Sequence, residues 1–268
     1  MSAASGRAPG SSGIEVGGGR FANRFDGRAG AYSRYRPRYP SEILQKLHEE
    51  TGFDKETIVA DIGSGTGILS ELFLKNGNVV YCVEPNADMR RAAKRNLKKH
   101  CPRFISVEGT AEATGLEDAS VGLVTVGQAL HWFDGTKARN EFKRILKRSG
   151  HVLIVYNCRK EEGGANQAYS KLTRRFSRDM ADVPDINRLY ISRFLRNRQF
   201  SKFVVPNYQT LSFKGLLGRL ASASYAPPLG SPKWSRLENA MRTIFDKYSR
   251  DGVFTLHYDT TFYVGELV

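Results

Sequence analysis

From residue 58 onward, short apolar runs alternate with stretches whose apolar positions recur every three to four residues. Ile58–Ile62, Val79–Val83, Phe104–Val107, Val121–Val126 and Gly150–Tyr156 read as strands buried on both faces. Leu69–Lys75, the basic stretch Asp88–Lys99 and Lys137–Leu146 read as the helices between them. Strands alternating with helices about ten residues long require right-handed crossovers, hence a parallel sheet covered on both faces. The expected fold is α/β, doubly wound and mostly parallel.

The pattern differs on either side of this core. Residues 1–20 are Gly-, Ser- and Ala-rich with almost no large apolar group, so they cannot offset the entropy of ordering and read as a flexible tail. Residues 21–40 turn aromatic and basic and read as an ordered arm, after which Ser41 is placed to cap a helix carrying Ile43, Leu44 and Leu47. Residues 41–159 hold the α/β core. Over 160–232, helical stretches at Ala168–Arg178 and Leu189–Arg198 surround strand-like Lys202–Val205 and Tyr208–Phe213, which together read as a lid or substrate-binding insertion. A helix at Trp234–Tyr248 and two alternating segments, Val253–Tyr258 and Thr261–Val264, occupy 233–268; so close together, the two segments are expected to pair antiparallel with each other.

Charge raises the question of partners. Forty-one basic against 27 acidic residues give a formal net charge of +14, which favours polyanions or acidic small molecules. Lys171–Arg219 alone holds eleven basic and three acidic residues, with Arg193, Arg196 and Arg198 as its densest cluster. Cys82, Cys101 and Cys158 are far apart, without the close pairs of a zinc site, and no metal centre is expected. No apolar run approaches the roughly 18 residues of a membrane span. A cytoplasmic protein without a membrane partner is the expectation; its oligomeric state is left open.

The chemistry is carried by Asp61-Ile62-Gly63-Ser64-Gly65-Thr66-Gly67, a Gly-rich turn between the first strand and its helix. Glycine permits backbone angles and close approaches that a Cβ blocks, and the turn falls at the carboxyl edge of a parallel sheet, where nucleotide-like ligands bind. Ile68 stands where the dinucleotide fingerprint has its third glycine, and no Lys-Ser or Lys-Thr follows the glycines as phosphate-binding loops require. At the end of the second strand, Val83-Glu84-Pro85-Asn86 supplies a carboxylate able to accept both hydroxyls of a ribose.

Together these motifs resemble motif I and its successor in class I S-adenosylmethionine-dependent methyltransferases, over about Phe25 to Tyr156. The arm's Tyr-x-x-x-Arg-Pro-x-Tyr-Pro, Met89 after Glu-Pro-Asn, Gly-Thr-Ala-Glu at 109–112 and Gln-Ala-Leu-His-Trp-Phe at 128–133 are similar to the type 11 small-molecule group, which includes trans-aconitate methyltransferase-like enzymes. The resemblance implies a Rossmann-like, seven-stranded sheet with an antiparallel C-terminal strand and a helical lid. It implies Asp61 near the methionine ammonium, the Gly63-Ser64-Gly65 backbone and Gly67 beneath that moiety, and Glu84 with Pro85 at the ribose. Met89 then packs beside the nucleoside, Thr110 and Ala111 meet the adenine edge, and Gln128 and Ala129 border the sulfonium. Members of the group often carry Asp where Thr110 stands. Tyr32 and Arg36 are expected to cover the cofactor, and Tyr35, His131, Trp132 and Tyr225 to line the substrate.

A departing thioether is neutral and needs no proton, so alignment and exclusion of water provide most of the acceleration. His131 is the candidate general base for a hydroxyl or amine acceptor, whereas a carboxylate acceptor needs none. Gln128-Ala129-Leu130-His131 is not the Asn/Asp-Pro-Pro-aromatic signature of exocyclic-amine methyltransferases, and no Pro-Cys nucleophile is present. The expectation is therefore S-adenosylmethionine-dependent methyl transfer to the oxygen or nitrogen of a small molecule. The alternatives are an RNA or protein methyltransferase using the basic lid, and a non-catalytic S-adenosylmethionine-binding interaction protein.

Overall fold

The computed structural model describes residues 29–176, 188–196, 199–223 and 226–267. In chain order these form α1 (Ala29–Tyr35), α2 (Glu42–Thr51), β1 (Val59–Ile62), α3 (Ile68–Asn76), β2 (Val80–Val83), α4 (Ala87–Leu97), β3 (Phe104–Val107), β4 (Val121–Gly127), α5 (Gly135–Ile145), β5 (Leu146–Arg159), α6 (Gly164–Phe176), α7 (Arg188–Leu195), β6 (Phe200–Leu211), α8 (Phe213–Ala221), α9 (Pro232–Tyr248) and β7 (Phe254–Gly265). The seven strands make one sheet in the order β3-β2-β1-β4-β5-β7-β6. Neighbours from β3 to β5 pair in parallel, and β7 runs antiparallel to both β5 and β6. This is a Rossmann-like doubly wound fold whose strand order reverses beside β1.

Each face of the sheet carries its own core. Ile43 and Leu47 of α2, Leu69, Phe73 and Leu74 of α3 and Ala93 and Leu97 of α4 cover one face. Ala138, Phe142 and Ile145 of α5 and Ile191, Phe194 and Leu195 of α7 cover the other. A third cluster joins α6, α8 and α9 to the ends of β6 and β7 through Tyr169, Leu216, Leu220, Trp234, Met241 and Phe254. Helix starts are set locally: the side chains of Asn86, Asp134, Ser212 and Ser231 accept hydrogen bonds from the first-turn amides of α4, α5, α8 and α9, with Pro232 opening α9.

Ser41 makes no such cap. Its backbone is already helical (φ −67°, ψ −20°), and Leu44 N donates instead to the Ser41 carbonyl. A helical residue cannot turn its hydroxyl back onto the amides of the next turn.

The C-terminal segments are likewise not a hairpin. They form the single strand β7, whose Thr260 pairs with Asn157 on one side and Val205 on the other. Two hydrogen-bonding neighbours hold the chain extended through Asp259-Thr260. The two strand-like pieces within 160–232 are also one strand, β6, paired with β7 along its whole length, so the sheet itself runs into the stretch expected to be a lid. Pro206 is tolerated inside β6 because β6 is the edge strand, where a missing amide leaves no neighbour unsatisfied.

Candidate active site

The carboxyl ends of β1, β2 and β4 open into one cleft with an apolar half and a polar half. The glycines of the β1–α3 turn shape it in three ways. All three have positive φ, at +67° for Gly63, +56° for Gly65 and +82° for Gly67. A Cβ on Gly63 would press against Ala129 and Phe133, and one on Gly67 would fall 2.4 Å from Leu97 of α4. A Cβ on Gly65 would meet only open space, and that space is the cleft.

Glu84, buried at the end of β2, accepts a hydrogen bond from Gly65 N on one carboxylate oxygen (2.9 Å) and from Asn86 N on the other (2.8 Å). The two amides fix its plane across the mouth of the turn, and burial holds its pKa above the ordinary carboxylate range. With Pro85, Met89, Thr110, Ala111, Glu112, Ala129, Trp132 and Phe133 it lines the apolar half, of about 780 Å³. Glu112 is positioned by accepting from Asp134 N, and the Thr110 turn is closed by bonds with Ala113.

The polar half, of about 640 Å³, is lined by Arg36, Pro37, Tyr39, Asp61, Ser64, Asn157 and Arg219 among others. Tyr32, Gly63, Gly65, Gly127 and Gln128 border both halves. Asp61 is 1 % exposed and accepts from Ser70 Oγ and Thr125 Oγ1; burial pushes its pKa up to about 6 against those bonds. Ser64 Oγ is buried without a hydrogen-bond partner among the described residues, a hydroxyl left for a bound group. Gln128 has φ +59°, a conformation rare outside glycine, and its amide reaches the Asn157 carbonyl. Tyr39 lies against Gly127, and burial raises its hydroxyl well above the usual range.

The arm roofs this cleft. Arg36 donates through Nε to Ser222 Oγ (3.1 Å) and through Nη2 to the Ser222 carbonyl (2.9 Å), and its guanidinium lies 4.6 Å from the centre of the Tyr32 ring. Gln209 of β6 donates to the Tyr35 carbonyl, while Ala29 and Tyr32 pack on Met89 and Ala92 of α4. Helix α1 thus spans the cleft from α4 to α8.

Residues 60–154, which carry the Gly turn, Glu84 and the β4 end, match the methyltransferase domain family of type 11. The chain carries a methyltransferase domain. An uncharacterized methyltransferase of Mycobacterium tuberculosis is 29% identical over 201 residues, 75% of this chain and 76% of the relative. One from Schizosaccharomyces pombe is 32% identical over 129 residues, 48% of this chain and 50% of the relative. Among solved structures, a protein of Anaeromyxobacter dehalogenans described as a type II methyltransferase shares the fold, with a TM-score of 0.63 at 20% identity over 87% of this chain and 98% of that one. The cofactor of this methyltransferase is S-adenosylmethionine, and the Cβ-free turn, the buried carboxylates and the Ser64 hydroxyl are a cradle of the chemical kind it requires.

The methyltransferase brings most residues anticipated for the cofactor onto one surface: Tyr32, Arg36, Asp61, Gly63, Ser64, Gly65, Glu84, Pro85, Met89, Thr110, Ala111, Gln128 and Ala129 all border the cleft. Gly67 does not line it, since its missing Cβ admits Leu97 instead. Trp132, expected at the substrate, lies in the apolar half with Met89 and Ala111. Tyr35 lines neither half; its ring is seated over Gly218 of α8, which has no side chain to exclude it.

His131, on a short 3-10 helix over Leu130–Trp132, is also off the cleft wall. Its ring packs 4.4 Å from Trp132 and 6.3 Å from Tyr156, centre to centre, and burial lowers its pKa to about 4. Tyr225 lies outside the described residues, as does Arg198. Sequence reasoning passed over Tyr39, Glu112, Phe133, Asn157 and Arg219. Glu112, Phe133 and Tyr39 stood inside motifs already singled out, whereas Asn157 and Arg219 reach the cleft only through the pairing of distant elements.

Proposed function

We propose that the enzyme methylates a small molecule admitted to the polar half of the cleft. The observation that carries this reading is the roof: Arg36 fastened to Ser222 and Tyr35 seated on Gly218 close the arm over the ground between Asp61, Gln128 and Asn157. Such an enclosure suits an acceptor of metabolite size.

S-adenosylmethionine, when bound, supplies an electrophilic methyl group on a sulfonium. Glu84 is the group for the ribose hydroxyls, its orientation fixed by the Gly65 and Asn86 amides. Met89, Pro85, Trp132 and Phe133 offer the apolar surface a nucleoside base needs, with Thr110, Ala111 and Glu112 as polar neighbours. Asp61 suits an ammonium, and the Gly65 backbone leaves the methionine chain its passage. Gln128, held in a strained conformation between the two halves, is the side chain best situated to border the transferred group.

The chain's contribution to rate is then alignment and exclusion of water. A base at His131 is not part of the reading, because its ring is packed against aromatic neighbours off the cleft and protonates only near pH 4. Transfer of labelled methyl from S-adenosylmethionine into fractionated cell extract tests the proposal: label in the small-molecule fraction supports it, and label confined to RNA or protein contradicts it. Replacing His131 by Asn is expected to leave the pH dependence of turnover unchanged.

A further inference from the structure

We propose that Gln128 holds the attacking nitrogen of an amine acceptor, its side-chain carbonyl oxygen taking a hydrogen bond from that nitrogen. The proposal rests on the small-molecule reading above and names the acceptor's reacting group.

Strand β4 ends where Gln128 turns into the left-handed region, at φ +59°. Its backbone amide makes a last ladder bond to the Val155 carbonyl of β5, and its side-chain nitrogen donates to the next carbonyl on that side of the strand, that of Asn157 (3.3 Å). A carbonyl only accepts, so this bond fixes which end of the side-chain amide faces β5: the nitrogen does, and the oxygen is turned away. Asn157 is itself held, since its side chain accepts from Thr260 and Asn207 and donates to the Arg38 carbonyl. The Gln128 oxygen has no hydrogen-bond partner among the described residues.

Gln128 borders both halves of the cleft, together with Tyr32, Gly63, Gly65 and Gly127. The glycines have no side chain, and the Tyr32 ring lies under the Arg36 guanidinium. With the nucleoside in the apolar half and the methionine chain passing Gly65, the sulfonium falls at this junction, where Gln128 presents an uncommitted acceptor.

An acceptor at that point selects among nucleophiles. A carboxylate has no hydrogen to offer and meets the oxygen's lone pairs. A hydroxyl has to shed its proton to attack well, and the groups around it offer no base: Asp61 is bonded to Ser70 and Thr125 and faces the cofactor's ammonium, Tyr39 keeps its proton, and His131 is off the wall. A neutral amine needs only orientation. It donates an N–H to Gln128 and aims its lone pair at the methyl group, and both the enclosure and the neighbouring sulfonium favour it over its ammonium form. The lone pair forms the N–C bond as the C–S bond breaks, and the pair from that bond stays on sulfur as a neutral thioether. The nitrogen emerges as an N-methylammonium and gives its proton to solvent, because an amide oxygen is too weak a base to keep it.

The test uses small molecules extracted from the cells that make the protein, incubated with the enzyme and methyl-labelled S-adenosylmethionine. One portion of the extract is first N-acylated, which blocks primary and secondary amines. Acylation is expected to abolish labelling, and label from the untreated portion to survive mild alkali, which hydrolyses methyl esters. Gln128→Leu is expected to slow label transfer at saturating S-adenosylmethionine by about tenfold. Its affinities for S-adenosylmethionine and S-adenosylhomocysteine, measured by calorimetry, should stay within about threefold. Gln128→Asn tolerates the positive φ and withdraws the oxygen by one methylene; the same loss is expected, and it decides the matter if Gln128→Leu fails to fold.

Label that persists after acylation, or that mild alkali releases, overturns the amine assignment alone. Unchanged transfer in both variants overturns the role of Gln128. So does a loss of S-adenosylmethionine affinity with S-adenosylhomocysteine affinity kept, which assigns the oxygen to the sulfonium instead. Absence of label from the small-molecule fraction overturns the small-molecule methyl-transfer reading itself.

Discussion

Three glycines at alternate positions look equivalent in the sequence and are not. Gly65 faces open space, whereas Gly67 makes room for Leu97, thirty residues further on. Gly67→Ala is therefore expected to destabilise the protein by about 1–3 kcal/mol through φ strain and overpacking, read from urea melts. Gly65→Ala should cost about 1 kcal/mol of strain but weaken S-adenosylhomocysteine more than it weakens the fold. Glu84 and Asp61 were legible because acids at strand ends are conspicuous; that Asp61 titrates high was not, because it follows from burial beside Ser70 and Thr125. Its pKa of about 6 sets a sign. With Asp61 at the ligand's ammonium, as proposed above, a carboxylate meets that cation above this pH and a neutral acid below it, where the attraction is lost. Affinity for S-adenosylhomocysteine should therefore fall as pH drops through 6, and Asp61→Asn should remove that step from the calorimetric pH series.

At the scale of elements, the β-α alternation over residues 58–156 was readable because parallel strands are apolar on both faces and their crossover helices are amphipathic. The C-terminal third was harder to read. Pro206 and the polar Asp259-Thr260 pair look like breaks along the chain, but an edge strand accepts the proline and pairing on both sides carries β7 through. The arm's place over the cleft depends on a contact no local pattern announces, the Tyr35 ring over Gly218, where a Cβ would lie 2.2 Å from the ring. Gly218→Ala is expected to unseat α1 and to speed S-adenosylhomocysteine release by about tenfold, measured by stopped-flow fluorescence. The core's melting temperature should barely move, because the buried clusters on the two sheet faces do not include Tyr35.

For the whole molecule, a charge of +14 invites a polyanion, whereas the acceptor proposed above is small. The two differ in salt dependence: a methyltransferase engaging nucleic acid through six to ten phosphates loses about 10³–10⁵ in affinity between 50 and 200 mM salt. Turnover of a small acceptor is expected to change by less than about tenfold over that range, since no row of phosphates releases its counterions. Among the described residues no helix is long and apolar enough to cross a membrane. The central claim is that one cleft, closed beneath by glycine and gripped at its side by Glu84, holds an adenosyl ligand. Calorimetry of S-adenosylhomocysteine with the unmodified protein and with Glu84→Ala measures this most directly. Saturable binding weakened about 10- to 100-fold by the substitution is the predicted result, the loss of charge-assisted hydrogen bonds worth about 1.5–3 kcal/mol. Equal affinity in the two proteins would contradict it.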